Sequence, residues 1–313
     1  MCSSIAIVVA PEDDIHAFSV RKAAISLGKE VIIIDSESFL MENYVSCSIP
    51  SRRSGKSLIL HGAHENKPVS GLWWRRPRAA RSSRKIKVHP GLEGSLEREA
   101  THALFGSLCA GISNAFNNIG ASREASRKPL QLHHACKLGF KVPATLITNN
   151  PDEAINFFHA LGGNVVYKLL NGTDLGFFET RVLREPDIVE LWRASICPVM
   201  LQERIFGSYD LRVTVVGDEL FCAKIVYDQD SEIVDSRFTT KEIYKHHLPE
   251  SVSLKILEIM RVFGLTYGAI DLRVSKDEEV IFFELNPEGQ YLWTEIEAGL
   301  PISEAICNKL FDI

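Results

Sequence analysis

Two short segments near the C-terminus carry residues able to do chemistry: Gly268-Ala269-Ile270-Asp271-Leu272-Arg273 and Phe282-Phe283-Glu284-Leu285-Asn286-Pro287. Side chains alternate across an extended strand, so Asp271 and Arg273 share one face, as do Glu284 and Asn286. If residues 276–279 form a loop, Ser275 pairs with Val280 and Asp271 falls opposite Glu284, with Cβ atoms roughly 4.5–5.5 Å apart. Facing carboxylates repel unless something positive lies between them. A hard cation with oxygen ligands would satisfy both, and magnesium would draw further oxygens from phosphate. The alternative is a pair of solvent-facing acids at a sheet edge; the apolar neighbours Ile270, Leu272, Phe283 and Leu285 favour the metal.

A magnesium held this way implies a nucleotide. Lys168 sits inside the apolar run Val165-Val166-Tyr167-Lys168-Leu169, where an unpaired ammonium is costly. A phosphate would offset that cost, and the small polar loop Asn171-Gly172-Thr173-Asp174-Leu175-Gly176 could lie over phosphates through its N–H groups. Otherwise Lys168 is a lysine snorkelling from an edge strand. Lys128, early in a helical segment, offers a second phosphate contact.

The elements that must position these residues can be read from periodicity. Ile5 to Ala10 reads as a buried strand, with a helix opening at Pro11-Glu12-Asp13-Asp14 and Val31 to Ile34 as the next strand. This β-α-β start implies a parallel sheet, and its first turn has no G-x-G-x-x-G for a dinucleotide. Gly71 to Trp74 is a further strand and Leu92 to Leu108 a long helix. Helices over Lys128–Leu138 and Pro151–Leu161 alternate with strands at Val142–Thr148 and Val165–Leu169. Leu211 to Val216 and Leu220 to Val226 flank Gly217-Asp218, a hairpin turn signal.

Composition sets the class. The 313 residues are 45% hydrophobic and 24% charged, ordinary for a globular protein large enough for two or three subdomains. No apolar run approaches the roughly 20 residues of a membrane span, and Met1 to Ile5 lack a charged region followed by a long apolar stretch, so secretion is not expected. Seven scattered cysteines without a C-x-x-C pair read as reduced thiols of a cytoplasmic protein. A net charge of −5 makes a nucleic-acid partner unexpected. One segment departs from this balance: Arg75, Arg76, Arg78, Arg81, Arg84, Lys85 and Lys87 crowd together without an acid. It is either a solvated loop or a guide for an acidic partner.

Taken in order, these pieces resemble the ATP-grasp superfamily over essentially the whole chain. The resemblance implies an α/β protein with the ATP-grasp fold: an N-terminal pre-ATP-grasp α/β domain (1–117), a central α+β subdomain (118–197) and a C-terminal antiparallel-sheet subdomain (198–313). It implies ATP and Mg2+ as cofactors. Lys128 and Lys168 match the family lysines, Gln202-Glu203-Arg204-Ile205 the adenine hinge, Asp210 the acid near the nucleotide, and Asp271, Glu284 and Asn286 the metal triad. Arg212, Arg237 and Arg273 match the arginines that hold the acyl phosphate and its developing oxyanion.

Within the superfamily the chain looks like the ribosomal-peptide maturases of the microviridin or graspetide group, relatives of RimK-like ligases. Trp73-Trp74-Arg75-Arg76-Pro77 resembles the group's W-Y-R-R, Asp235-Ser236-Arg237 its D-W-R, and Phe283 to Tyr291 its metal strand and Gly-Gln tail. Thr239 stands where RimK-type ligases carry an asparagine. The resemblance implies a macrocyclase acting on Glu or Asp side chains of an acidic precursor peptide with a leader, and a possible homodimer. The alternatives are a ligase for amino acids or other small-molecule carboxylates and amines, or a nucleotide-binding protein without turnover. No Ser-His-Asp or Cys-His arrangement is needed for such chemistry, and none is evident.

Overall fold

In the computed structural model, residues 4–49, 58–61, 67–81, 88–170, 180–227 and 240–313 are described. The first section builds a parallel sheet from β1 (Ile5–Val9), β2 (Glu30–Ile34), β5 (Val69–Trp74) and β6 (Ala115–Phe116), in the order β2-β1-β5-β6. All five residues of β1 are buried, because helices cover both faces, as a parallel sheet requires. One face packs α1 (Ile15–Ser26) and the other α3 (Pro90–Gly111). A short helix α2 (Phe39–Glu42) precedes the hairpin of β3 (Tyr44–Cys47) and β4 (Leu58–His61). The acids of Pro11 to Asp14 precede α1 instead of filling its first turn: Asp14 is the cap, its Oδ1 accepting from the Ala17 N–H at 2.9 Å.

The central section contains α4 (Ile119–Ala125), α5 (Lys128–Lys137), β7 (Thr145–Thr148), α6 (Pro151–Ala160), β8 (Val165–Lys168) and β9 (Arg181–Leu183), then a 3-10 segment over Glu185–Ile196 and β10 (Val199–Glu203). Its antiparallel sheet runs β7-β10-β8-β9, so β10, beyond residue 197, pairs with the central strands.

The third sheet is antiparallel in the order β13-β12-β11-β14-β15. Its strands are β11 (Gly207–Val216), β12 (Glu219–Tyr227), β13 (Thr240–Lys245), β14 (Tyr267–Ser275) and β15 (Val280–Asn286). The expected Gly217-Asp218 turn joins β11 to β12, with Gly217 at φ +61°, a conformation a side chain would oppose. The helix α7 (Glu250–Val262) packs Val252, Ile256, Ile259 and Met260 beneath this sheet. The chain ends with α8 (Leu292–Ala298) and α9 (Ile302–Phe311), and α9 returns to bury Ile306, Cys307 and Leu310 against β1 and α1. The C-terminus therefore completes the N-terminal core. No described helix is long and apolar enough to cross a membrane.

The β14–β15 register differs from the sequence expectation in an instructive way. Val280 pairs with Val274, not Ser275, and that register continued unbroken would set Asp271 opposite Phe283. An irregularity between Asp271 and Leu272 adds one residue on β15, Phe283, and restores Asp271 opposite Glu284. Ser275 instead closes the turn, its Oγ accepting from Asp277 and Glu279 N–H groups at 3.2 Å. The bulge presents both Phe283 and Glu284 to the same cleft, which strict alternation would forbid.

Candidate active site

Three strands of the C-terminal sheet carry a two-dimensional array of charge. Asp210 on β11 lies opposite Arg273 on β14, and Arg212 lies opposite Asp271. Directly opposed side chains on one face are close enough to pair. Arg273 Nε and Nη2 donate to Asp210 at 2.6 and 2.9 Å, and Arg212 Nη1 donates to both oxygens of Asp271 at 2.7 and 2.9 Å. Arg212 Nη2 also donates to the Gln290 carbonyl at 2.8 Å. Glycines make room for these guanidinium groups: a Cβ on Gly207 would strike the Arg273 stem, and one on Gly289 would strike Ala269 and Arg212.

Next in the array, Glu284 faces Asp271 and forms an ion pair with Lys128. The lysine is aimed by its helix. Gln131, one turn further along α5, exchanges two hydrogen bonds with the Leu285 backbone, at 2.7 and 2.9 Å, locking α5 against β15. Sequence reasoning missed Gln131; its i,i+3 spacing from Lys128 was the available signal. Asn117 does the same at the other end, bonding the backbone of Thr266, Tyr267 and Pro287 at 2.6–3.0 Å.

The electrostatics follow from this crowding. Burial alone would raise Glu284, but Lys128 and Lys168 outweigh it and hold its carboxyl at about 2. Burial raises Asp271, with Glu284 adding and Arg212 opposing. Burial lowers Lys168 to about 8, Lys128 adding and Glu284 opposing. Glu284 is therefore charged near neutral pH, and Lys168 is a cation that gives up its proton more easily than a free lysine.

All of this opens on a cleft of about 430 Å³ between the central and C-terminal sheets. Of the residues expected from the sequence, Lys168, Gln202, Glu203, Arg204, Ile205, Asp210, Arg212, Asp271, Arg273, Glu284 and Asn286 line this one cleft. Lys128 joins it through Glu284. Arg237, with Asp235, Ser236, Thr239 and the loop Asn171 to Gly176, lies outside the described residues. The segment Gln202 to Ile205 is held from both sides: Gln202 Nε2 donates to Thr145 Oγ1 at 2.9 Å, and the Ile205 carbonyl accepts from Arg273 Nη1 at 3.0 Å. Arg76, Gln290 and Trp293 also line it, with apolar side chains such as Val166, Ile225 and Phe283.

The oxygen donors suit magnesium. Two carboxylates and the Asn286 amide would supply hard ligands, and phosphate oxygens would complete the shell. No described group of three or more His, Cys, Asp or Glu is placed to hold a metal by itself. A site shared between two acids, an amide and a phosphorylated ligand needs no third acid.

The basic segment corrects one expectation. Arg75 is no surface charge: it is fully buried, with Nη1 donating to the Glu288 carbonyl and Nε 3.6 Å from Asp14. Arg78 and Arg81 both pair with Glu37. Arg76 faces the cleft, its pKa pushed down by desolvation and by Arg75. Arg84, Lys85 and Lys87 lie outside the described residues.

No protein-family model matches the sequence, and no curated protein matches it. Solved structures do. The macrocyclase MdnC of Microcystis aeruginosa MRC, bound with its precursor peptide MdnA, is 29% identical with a TM-score of 0.83, covering 98% of this chain and 99% of that one. A RiPP-associated ATP-grasp ligase of Chryseobacterium gregarium, in complex with ADP and a leader and core peptide, is 26% identical with a TM-score of 0.85, covering 99% and 97%. The ATP-grasp ligase PsnB, complexed with a phosphomimetic minimal precursor, Mg and ADP, is 25% identical with a TM-score of 0.79, covering 100% and 99%. With its fold matched end to end and its charge array set on the C-terminal sheet, the chain is an ATP-grasp ligase that resembles the graspetide-type peptide maturases.

Proposed function

We propose that this ligase activates a Glu or Asp side chain of an acidic, leader-bearing precursor peptide and closes it into an ester or amide ring. The observation that carries the reading is the charge array: the cross-strand pairs Asp210–Arg273 and Arg212–Asp271, and Glu284 with Lys128 of α5, with Lys168 beside them in one cleft. Cations and carboxylates at this density suit a ligand that is itself highly charged. A carboxylate is a poor electrophile; transfer of the γ-phosphoryl group to its oxygen, with departure of ADP, makes an acyl phosphate. A side-chain hydroxyl or amine then attacks the carbonyl, phosphate leaves with the bonding electrons, and the nucleophile's proton is released.

Phosphoryl transfer of this kind needs positioning and charge neutralisation more than covalent help. Lys128 and Lys168 would hold the phosphates, Gln202 to Ile205 the adenine, and Asp210 the ribose side. Asp271, Glu284 and Asn286 would hold magnesium, which when bound neutralises phosphate charge. Arg212, Arg273 and Arg237 would steady the acyl phosphate and its oxyanion by charge-assisted hydrogen bonds. The six described cysteines are free, which supports a reducing, cytoplasmic setting.

Intact-mass spectrometry tests the proposal. An acidic precursor incubated with enzyme, ATP and magnesium should lose one water per bond formed, and tandem fragmentation should locate a closed ring. Ligation of a free amino acid with the peptide untouched would replace the macrocyclase reading by a small-molecule ligase. Absence of ADP formation with either would leave a nucleotide-binding protein.

A further inference from the structure

The N-terminal parallel sheet contains a reversal of strand order. In the sequence β2-β1-β5-β6 the chain steps to one side of β1 for β2 and to the other side for β5. Helix α1 packs on one face and α3 on the other. In open sheets of this kind a crevice forms beyond the carboxyl ends of the two strands at the reversal, and ligands bind there. Here β1 ends at Val9 and β5 at Trp74. A hollow of about 520 Å³ occupies that place, lined after β1 by Pro11, Asp14 and His16 and after β5 by Arg76, Pro77 and Arg78. Asp14 already caps α1, and Arg78 is paired with Glu37. The cation left at the crevice is Arg76.

Arg76 also joins this crevice to the nucleotide cleft, since Arg76 and Gln290 line both. Among the described residues of the cleft lining, Arg76 alone comes from the N-terminal section. Its place is fixed by the backbone: the N–H groups of Arg75 and Arg76 donate to the Val9 carbonyl at 3.0 and 3.1 Å, tying the end of β5 to the end of β1. Arg75 is then held to the Glu288 carbonyl, beyond the metal strand. The cations of the charge array are paired, Arg212 with Asp271, Arg273 with Asp210 and Lys128 with Glu284. Arg76 makes neither an ion pair nor a side-chain hydrogen bond among the described residues, and it is exposed, so a ligand can reach it. Asp14 and Glu288 act on its charge but do not offset desolvation and Arg75, which lower its pKa. The position lacks negative charge even with its acidic neighbours counted.

We propose that Arg76 receives the carboxylate to be activated, an Asp or Glu side chain that enters the nucleotide cleft from the switch-point crevice. A guanidinium can pair with both carboxylate oxygens. It would also offset the repulsion between two anions that must meet, the carboxylate and the terminal phosphate. A side-chain amide would gain neither effect, so Arg76 selects acids. The inference rests on the peptide-ligase reading for its substrate.

Phenylglyoxal labelling of the full chain, mapped by tandem mass spectrometry, is the test. Arg76 should label readily in the free protein, and the buried, paired Arg212 and Arg273 more slowly. With magnesium and AMPPNP present to fill the phosphate end, a capped triglutamate peptide should slow labelling of Arg76 at least about fivefold, and a capped triglutamine peptide should not. Arg76→Gln should slow dehydration of an acidic precursor at least about tenfold, with Arg76→Lys recovering part of the loss and ATP–magnesium affinity by calorimetry within about twofold of wild type in both. No label on Arg76 in the free protein, equal slowing by the two peptides, or protection by AMPPNP alone would overturn the assignment. Dehydration at the wild-type rate in Arg76→Gln would also overturn it while leaving the ligase reading intact. Selective protection by triglutamate in a protein that dehydrates no acidic peptide would instead sink the ligase reading and leave the carboxylate site standing.

Discussion

Two buried arginines, Arg212 on β11 and Arg75 just past β5, are held in opposite ways. Arg212 makes two bonds to a carboxylate directly across the ladder and a third to a carbonyl. Arg75 makes one hydrogen bond, to Glu288, while its Nε and Nη2 have no hydrogen-bond partner among the described residues and Asp14 stands 3.6 Å away. The ladder supplies Arg212 with its partner at a distance set by strand spacing. Arg75 depends on a helix cap and a loop arriving from elsewhere in the chain. The C-terminal sheet thus pairs its array charges before any ligand comes, leaving Arg212 Nε without a partner, while Arg75 leaves two of its three nitrogens without one.

The sharpest way to break this comparison is at the array itself. Asp271→Asn and Glu284→Gln should each lower substrate-dependent ADP release by at least about 100-fold while circular dichroism stays unchanged, the scale of removing a preorganised charge from an active site. Near-normal release in both would remove them from the chemistry. Lys168→Ala should weaken ATP–magnesium binding about tenfold or more by calorimetry, since its partly desolvated charge would lose a phosphate partner.

Stability separates the two arginines next. Arg212→Met strands Asp271 beside Glu284 and should cost about 2 kcal/mol in urea unfolding, discounted because Asp271 is partly exposed. The double change Arg75→Met with Asp14→Asn removes both charges of the weaker pair, retains the helix cap, and should stay within about 1 kcal/mol of wild type. Equal losses would mean that the Arg75 pair is as well made as the ladder pair.

Beside Arg75, His16 is buried and its pKa is lowered to about 4 by burial first and Arg75 second. Between pH 6.5 and 4 the unfolded chain binds a proton that the folded chain refuses, so stability should fall as pH drops through that window. The loss from pH 7.5 to 5 should be on the order of 2 kcal/mol and should vanish in His16→Phe. Glu284, lowered to about 2, acts in a separate and more acidic window, from its ordinary value near 4.5 downward. The smallest effect belongs to Ser275→Ala: losing the turn bonds should cost no more than about 1 kcal/mol and leave ADP release unchanged, because the bulge at Phe283 sets the Asp271–Glu284 register.

Alternation and hydrophobic patterning made much of the site legible. Asp271, Arg273 and Glu284 share the face that parity demands, and the Gly217-Asp218 hairpin needed only its turn residues. The Asp271–Glu284 pairing was anticipated through a wrong register, since a bulge leaves no mark in periodicity. Arg75 could not be told from its exposed neighbours, because every residue in a run of arginines carries the same local signal.

By itself, the sequence determined which residues are extended, which helical and which strand faces are charged, since those depend on neighbours within a few positions. Tertiary structure decided the partners. It set Lys128 against Glu284 through Gln131, sealed the first sheet with the last helix, and buried Arg75 while leaving Arg76 in the cleft. Those outcomes join residues more than a hundred positions apart, and burial and charge pairing act on distance in space, to which local pattern is blind.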